Sequence, residues 1–146
     1  MLTIRDLLKR KNHEPISVEP RSTVYEALCL MARYDAEVLP VIDNSELQGT
    51  FSFRDYAKKV VLGERHEYRT LVSDVMMKNP PFVALDHQID TCMKYMIEKD
   101  VRYLPIMDNE TLIGIISLSD ISTGMIESHQ TTIQLLETYI SGGYLT

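Results

Sequence analysis

The chain has 146 residues, of which 45% are hydrophobic and 25% charged, and its formal net charge is −6. A chain of this length buries about 68–70% of its unfolded surface, enough for a core without covalent staples. The acidic balance argues against nucleic acid or an anionic membrane as the main partner, since both are bound largely through Lys and Arg. No apolar run is long enough for a transmembrane helix. The first residues, Met1-Leu-Thr-Ile-Arg-Asp6, lack the apolar stretch of a signal peptide, so none is expected.

In chain order, a short leader helix is expected over Thr3–Lys9 and a short strand around Ile16–Val18. Val24, Ala27, Leu28 and Met31 then share one face at helical spacing, with Thr23 and Glu26 as a capping box. A strand over Val38–Ile42, turn chemistry at Asp43-Asn44-Ser45 and a strand over Leu47–Phe51 read as a hairpin, followed by a helix from near Phe53. Gly63–Tyr68 is charged and turn-rich and reads as a link.

The same order then recurs. A leader helix falls at Thr70–Met77, a short strand around Phe82–Val83, and a helix face at Ile89, Cys92, Met93 and Met96. Strands follow at Tyr103–Met107 and Leu112–Ile116 around Asp108-Asn109-Glu110, with a helix from near Leu118. Ile133, Leu136 and Ile140, widened by Leu135 and Tyr139, predict a last amphipathic helix, with Gly142-Gly143 as its stop.

This is an internal repeat, displaced by 65 residues. Val18 meets Val83, Met31 meets Met96, Asp35 meets Asp100, and Leu39-Pro40 meets Leu104-Pro105. Asp43-Asn44, Leu47, Gly49, Ser52 and Asp55 likewise meet Asp108-Asn109, Leu112, Gly114, Ser117 and Asp120. Upstream, Ile4-Arg5-Asp6-Leu7 meets Val72-Ser73-Asp74-Val75 at a displacement of 68, which puts the extra residues of copy one within Lys9–Glu14. The expected organisation is copy one with its leader helix over 1–62, a link over 63–69, copy two with its leader helix over 70–127, and a C-terminal helix and tail over 128–146. The fold class is α/β (α+β), two strand-helix-strand-strand-helix repeats about a pseudo-twofold axis. Each copy is marginal alone.

Cys29 and Cys92 both fall in helical patterns, where a free thiol is usually a small core hydrophobe, and a reducing cytoplasm fits them. His13, His66, His87 and His129 share no metal-ligand spacing, and no metal site is expected. His87 reads as a capping or surface residue. No HExxH, GxSxG, Walker A or GxGxxG pattern occurs.

The stretches Leu39-Pro40-Val41-Ile42-Asp43 … Gly49-Thr-Phe-Ser52-Phe-Arg54-Asp55 and Leu104-Pro105-Ile106-Met107-Asp108 … Gly114-Ile-Ile-Ser117-Leu-Ser119-Asp120 resemble the cystathionine-β-synthase (CBS) domain. Two in tandem look like a CBS pair, or Bateman module, and the resemblance runs from Thr3 to about Glu127. His13–Val18, Arg54–Val60 and Ile133–Ile140 further resemble small stand-alone bacterial proteins made of two CBS domains.

Chemically, Ser52-x-x-Asp55 and Ser117-x-x-Asp120 read first as helix starts, with Ser as N-cap and Asp facing the positive end of the helix. The same geometry suits a nucleotide, because a helix N-terminus attracts phosphate and a fixed carboxylate can accept from both ribose hydroxyls. The family resemblance implies that the Asp holds the ribose and that each site is composite. One site would combine Ser52, Arg54 and Asp55 with Pro81, Phe82, Val83, Arg102, Tyr103 and Pro105. The other would combine Ser117, Ser119 and Asp120 with Pro15, Ile16, Val18, Val38 and Pro40. Arg54 and Arg102 suit a phosphate, whereas Ser119 and Glu37 stand at the matching positions of the second site, where the Glu37 carboxylate would repel one. The first site is therefore the expected phosphorylated-adenosine site. Lys58 and Lys59 read chiefly as a solvated helix face.

No activated nucleophile, metal set or acid–base pair appears, so no enzyme is expected and no cofactor is required. The resemblance implies a sensor of AMP, ATP or NAD(H) as regulatory ligand, homodimeric and acting on a separate protein. The alternative is a ligand-free interaction or dimerisation module in which the Ser/Asp pairs serve only as caps.

Overall fold

A computed structural model describes residues 2–10 and 16–145, without the side chains of 131, 132, 139 and 141–145. Its contacts divide the chain into two compact units. The first comprises Met1–His13, Val83–Tyr103 and Ile116–Thr146, the second Glu14–Phe82 and Leu104–Ile115.

In the second unit, Thr23 starts helix α2 (Val24–Tyr34) by accepting from the Glu26 N–H, a single cap bond rather than the expected reciprocal box. The helix buries Val24, Ala27 and Met31 and stops at Asp35, whose φ of 53° is left-handed. Strands β1 (Val38–Asp43) and β2 (Glu46–Ser52) pair antiparallel, with Asp43 opposite Glu46. The two-residue loop between them, Asn44-Ser45, has φ of 49° and 66°, both positive as a type I′ hairpin turn requires. Val18 joins the edge of β1, donating to the Pro40 carbonyl at 3.0 Å and accepting from Ile42 N–H at 2.9 Å. On the other side β2 pairs with β3 (Met77–Lys78). That approach requires Gly49, because a Cβ there would lie 2.4 Å from the Met77 carbonyl oxygen.

After β2 come a one-turn helix α3 (Phe53–Asp55), a π-helical segment (Tyr56–Val61) and helix α4 (Val72–Val75). Val18, Val24, Ala27, Met31, Leu39, Val41, Phe51, Val60, Val72 and Val75 form one buried cluster. Strands β4 (Tyr103–Asp108) and β5 (Thr111–Ser117) form a separate two-stranded sheet, whose turn holds Asn109 at φ 57°.

In the first unit, helix α1 (Ile4–Leu8) is capped by Thr3 and Asp6 reciprocally. Helix α5 (Ile89–Lys99) buries Ile89, Cys92 and Met96 and ends at Asp100 with φ 52°, the counterpart of Asp35. Helix α6 runs from Leu118 to Leu145 without a break. Arg10, two residues beyond α1, pairs with Glu127 of α6.

The leader helices exchange copies. Ile4 N–H donates to the His87 carbonyl at 2.9 Å and Ile89 N–H to Leu2 at 3.1 Å, so α1 docks at the start of α5. Val72 N–H donates to the Ser22 carbonyl at 2.8 Å and Val24 N–H to Thr70 at 2.9 Å, so α4 docks at the start of α2. The two sets of bonds occupy equivalent positions in the repeat.

Four further sequence expectations change. The second leader helix spans only Val72–Val75, because Met76 is already extended and Met77–Lys78 pair with β2 as β3, after which the chain turns through Asn79 at φ 48°. The strands expected at Ile16–Val18 and Phe82–Val83 are reduced to single bridge positions at Val18 and Val83. Cys29 is exposed, because it lies off the Val24–Ala27–Met31 face, while Cys92 is buried. Gly142-Gly143 does not stop the last helix. A glycine stop needs the left-handed conformation, and no glycine among the described residues has a positive φ.

Candidate functional site

The two Ser-x-x-Asp motifs sit where a strand hands over to a helix. Ser52 ends β2 in an extended conformation (φ −126°, ψ 169°) and caps α3. Asp55 N–H donates to Ser52 Oγ at 3.3 Å, while Ser52 N–H and Oγ–H both donate to Asp55 Oδ2 at 3.0 Å. Copy two repeats the pattern: Asp120 N–H donates to Ser117 Oγ at 3.0 Å and Ser117 N–H to Asp120 Oδ2 at 2.9 Å. The expected capping role therefore holds in both copies.

A second bond fixes each helix start. Phe53 N–H donates to the Glu37 carbonyl at 3.3 Å, and Leu118 N–H to the Arg102 carbonyl at 2.8 Å. Glu37 and Arg102 are register mates, so each motif is tied to the residue that leads into its own copy's strand. At each helix start two N–H groups are spent inside the protein, which narrows the anion-binding reading of these termini.

Asp55 is 8% exposed. With Oδ2 accepting twice from Ser52, its Oδ1 faces Lys59 Nζ at 3.2 Å. That ammonium also donates to the Val75 carbonyl at 3.1 Å. Lys59 is thus a partner of the motif rather than simply a solvated side chain, a role that its i,i+4 spacing from Asp55 could have signalled.

The remaining candidates fall into the two units as follows. The second unit holds Ile16, Val18, Val38, Pro40, Ser52, Arg54, Asp55, Pro81, Phe82 and Pro105. Within it Val38 pairs with Ser52 across β1 and β2, Val18 bonds Pro40, and Pro40 and Pro105 are buried. Arg54 and Phe82 are exposed. The first unit holds Val83, Arg102, Tyr103, Ser117, Ser119 and Asp120, with Val83 buried and Arg102 and Ser119 exposed. Pro15 lies outside the described residues. His87 is an acceptor, taking the Ala84 N–H on Nδ1 at 3.1 Å. Among the described residues no group of His, Cys, Asp and Glu could hold a metal ion, and no helix is long and apolar enough to cross a membrane.

Three likenesses bear on this arrangement. The "CBS domain-containing protein CBSX3, mitochondrial" of Arabidopsis thaliana is 26% identical over 151 residues, covering 97% of this chain and 73% of that protein. The structure of a putative signal-transduction protein with CBS domains from Burkholderia ambifaria superposes with a TM-score of 0.83 at 35% identity, over 86% of this chain and 95% of that one. A structure of CBSX2 in complex with AMP shares the fold, with a TM-score of 0.72 at 22% identity over 88% and 99% of the two chains. The CBS domain pattern itself matches twice, at residues 4–62 and 72–127, and the chain belongs to the CBS domain family as a tandem pair.

Proposed function

We propose that the chain is a non-enzymatic regulatory module that binds an adenosine-containing ligand, AMP, ATP or NAD(H), through the carboxylates of its two Ser-x-x-Asp motifs. The observation that carries this reading is Asp55, a nearly buried carboxylate locked by Ser52 at the mouth of a helix. A carboxylate oriented in this way can accept hydrogen bonds from a vicinal diol at little further ordering cost. The AMP complex of CBSX2, a protein of the same fold, supports AMP as the first ligand to test. Copy one is the phosphorylated-ligand site, with Arg54 and Arg102 supplying the cations, and copy two, with Ser119 and Glu37 at those positions, binds more weakly. Pro81, Phe82, Val83, Tyr103 and Pro105 complete the first site in this reading, and Pro15, Ile16, Val18, Val38 and Pro40 the second.

The ligand biases one arrangement of the module and a separate protein reads the bias. The module acts as a homodimer in a reducing compartment, the cytoplasm. Dimerisation is supported by α6, where Ile126, Ile133 and Ile140 recur every seven residues, and these side chains and Leu136 are all more than half exposed. Sedimentation of the Leu136→Glu, Ile140→Glu chain tests this and should show a monomer where the parent is a dimer.

A thermal-shift series with AMP, ATP, NAD(H) and S-adenosylmethionine tests ligand binding, since a ligand taken up only by the folded state raises Tm. A rise with AMP is expected. No rise with any of the four leaves the alternative, an interaction module whose Ser/Asp pairs are caps only.

A further inference from the structure

We infer that Lys59 is a latch on the copy-one carboxylate, competing with a ligand's hydroxyls for Asp55 Oδ1. The inference rests on the reading of Asp55 as the diol-binding group.

Of the two oxygens of Asp55, Oδ2 already accepts twice from Ser52. A diol arriving at this carboxylate therefore needs Oδ1, which Lys59 Nζ holds at 3.2 Å. The two partners differ in freedom: the Asp55 side chain is 11% exposed and that of Lys59 45%. Lysine is therefore the group that yields, turning its ammonium into solvent while the carboxylate stays in place.

Lys59 is also placed by an uncommon piece of backbone. It lies inside the π-helical segment, which closes with Leu62 N–H donating to Ala57 at 3.0 Å and Arg65 N–H to Val60 at 2.9 Å. π-turns are rare and recur at functional sites. The segment packs so tightly on Gly63 that a Cβ there would stand 2.3 Å from the Lys59 carbonyl oxygen. Copy two has no counterpart to this latch residue, since Gly124 occupies the register position of Lys59.

Two consequences follow from the shared ammonium. Binding at Asp55 must compensate for the loss of the Lys59 pair, so the latch weakens every diol ligand there and spares copy two. Displacing Lys59 also removes the donor from the Val75 carbonyl at the end of α4, so occupancy of the carboxylate loosens α4.

The test uses the full chain with Asp120→Ala to silence copy two, with and without Lys59→Met, which keeps the aliphatic stem. Adenosine is the probe because it has the diol and no phosphate for the released ammonium to attract. Calorimetric titration should show adenosine binding two- to fivefold tighter in the Lys59→Met chain, the size of a half-exposed ion pair. Saturating AMP should speed hydrogen exchange at the Met76 amide, which donates to Val72 at 2.8 Å, only in the chain that keeps Lys59. Unchanged or weaker adenosine binding after Lys59→Met, or loss of all binding, overturns the latch. If the parent binds neither adenosine nor AMP while remaining folded, the reading of Asp55 itself fails, and the latch fails with it.

Discussion

Copies one and two begin their second helices with the same cap and then part company. Ser52 and Asp55 bond each other as Ser117 and Asp120 do, and Glu37 and Arg102 give their carbonyls to the next residue of each motif. Beyond Asp55 the helix widens after one turn into the π-helical segment and ends at Val61. Beyond Asp120 it continues as α6 to Leu145. Identical residues therefore specify the cap, while the residues that follow differ: Lys59 closes over the Asp55 carboxylate, and Gly124 stands at its register position in copy two. A motif shared by two repeats is evidence for shared local geometry but not for equal sites.

The comparison can be broken most severely in the cores. Phe51 and Ile116 are register mates, both about 1% exposed or less. Phe51→Ala should cost about 3–5 kcal/mol and Ile116→Ala about 2–5 kcal/mol in urea unfolding, and a cost near zero at either position would mean that copy is not packed as described. Next in size is ligand binding: Asp55→Ala should weaken AMP at least about tenfold, or about 1.4 kcal/mol, and more than Asp120→Ala does. Calorimetry giving the reverse order would reverse the assignment of the stronger site.

The caps themselves should behave alike. Ser52→Ala and Ser117→Ala are each expected to lower stability by about 1 kcal/mol, measured by thermal melts, and a clear inequality would show that one cap carries more than its helix start.

The smallest effect separates the thiols. Burial, then the nearby Asp90 carboxylate, pushes Cys92 up to about 11 from the ordinary 9.0. A thiol reagent at mildly alkaline pH should modify exposed Cys29 and leave Cys92 until the chain unfolds. The raised value favours the neutral thiol in the folded chain. Its stabilising contribution is therefore full below 9.0 and is lost as pH rises from there through about 11, which pH-dependent melts of Cys92→Ala against the parent would reveal.

Much of this architecture was legible in the residues. Helical spacing placed α2 and α5, turn chemistry placed both hairpins, and Ser-x-x-Asp marked both caps, because each of these is local physics. The leader exchange was not legible, since the apolar positions of α1 and α4 say that they need a partner but not which copy provides it. The π-helical segment is not legible, because Tyr56–Val61 carries an ordinary helical composition and no local signal separates the two hydrogen-bond patterns. Lys59 carries no local mark of a partner beyond its i,i+4 spacing from Asp55. Its role depends on α4 bringing the Val75 carbonyl within reach, a contact from 16 residues away in the chain. The exposure of Cys29 could have been read from its angular offset on α2, which places it opposite Ala27.

The unbroken course of α6 has a mechanical consequence. Twenty-eight residues of α-helix make a rod of roughly 42 Å at about 1.5 Å per residue. Its base is the Asp120 cap, and its far half bears the exposed side chains of Ile133, Leu136 and Ile140. With no hinge between them, a tilt of a few degrees at the base sweeps the tip through several ångströms. Whatever grips the tip is in effect holding the pointer of a gauge whose pivot is the base of α6, where the Ser117–Asp120 cap, the Leu118–Arg102 bond and the Arg10–Glu127 pair hold the helix.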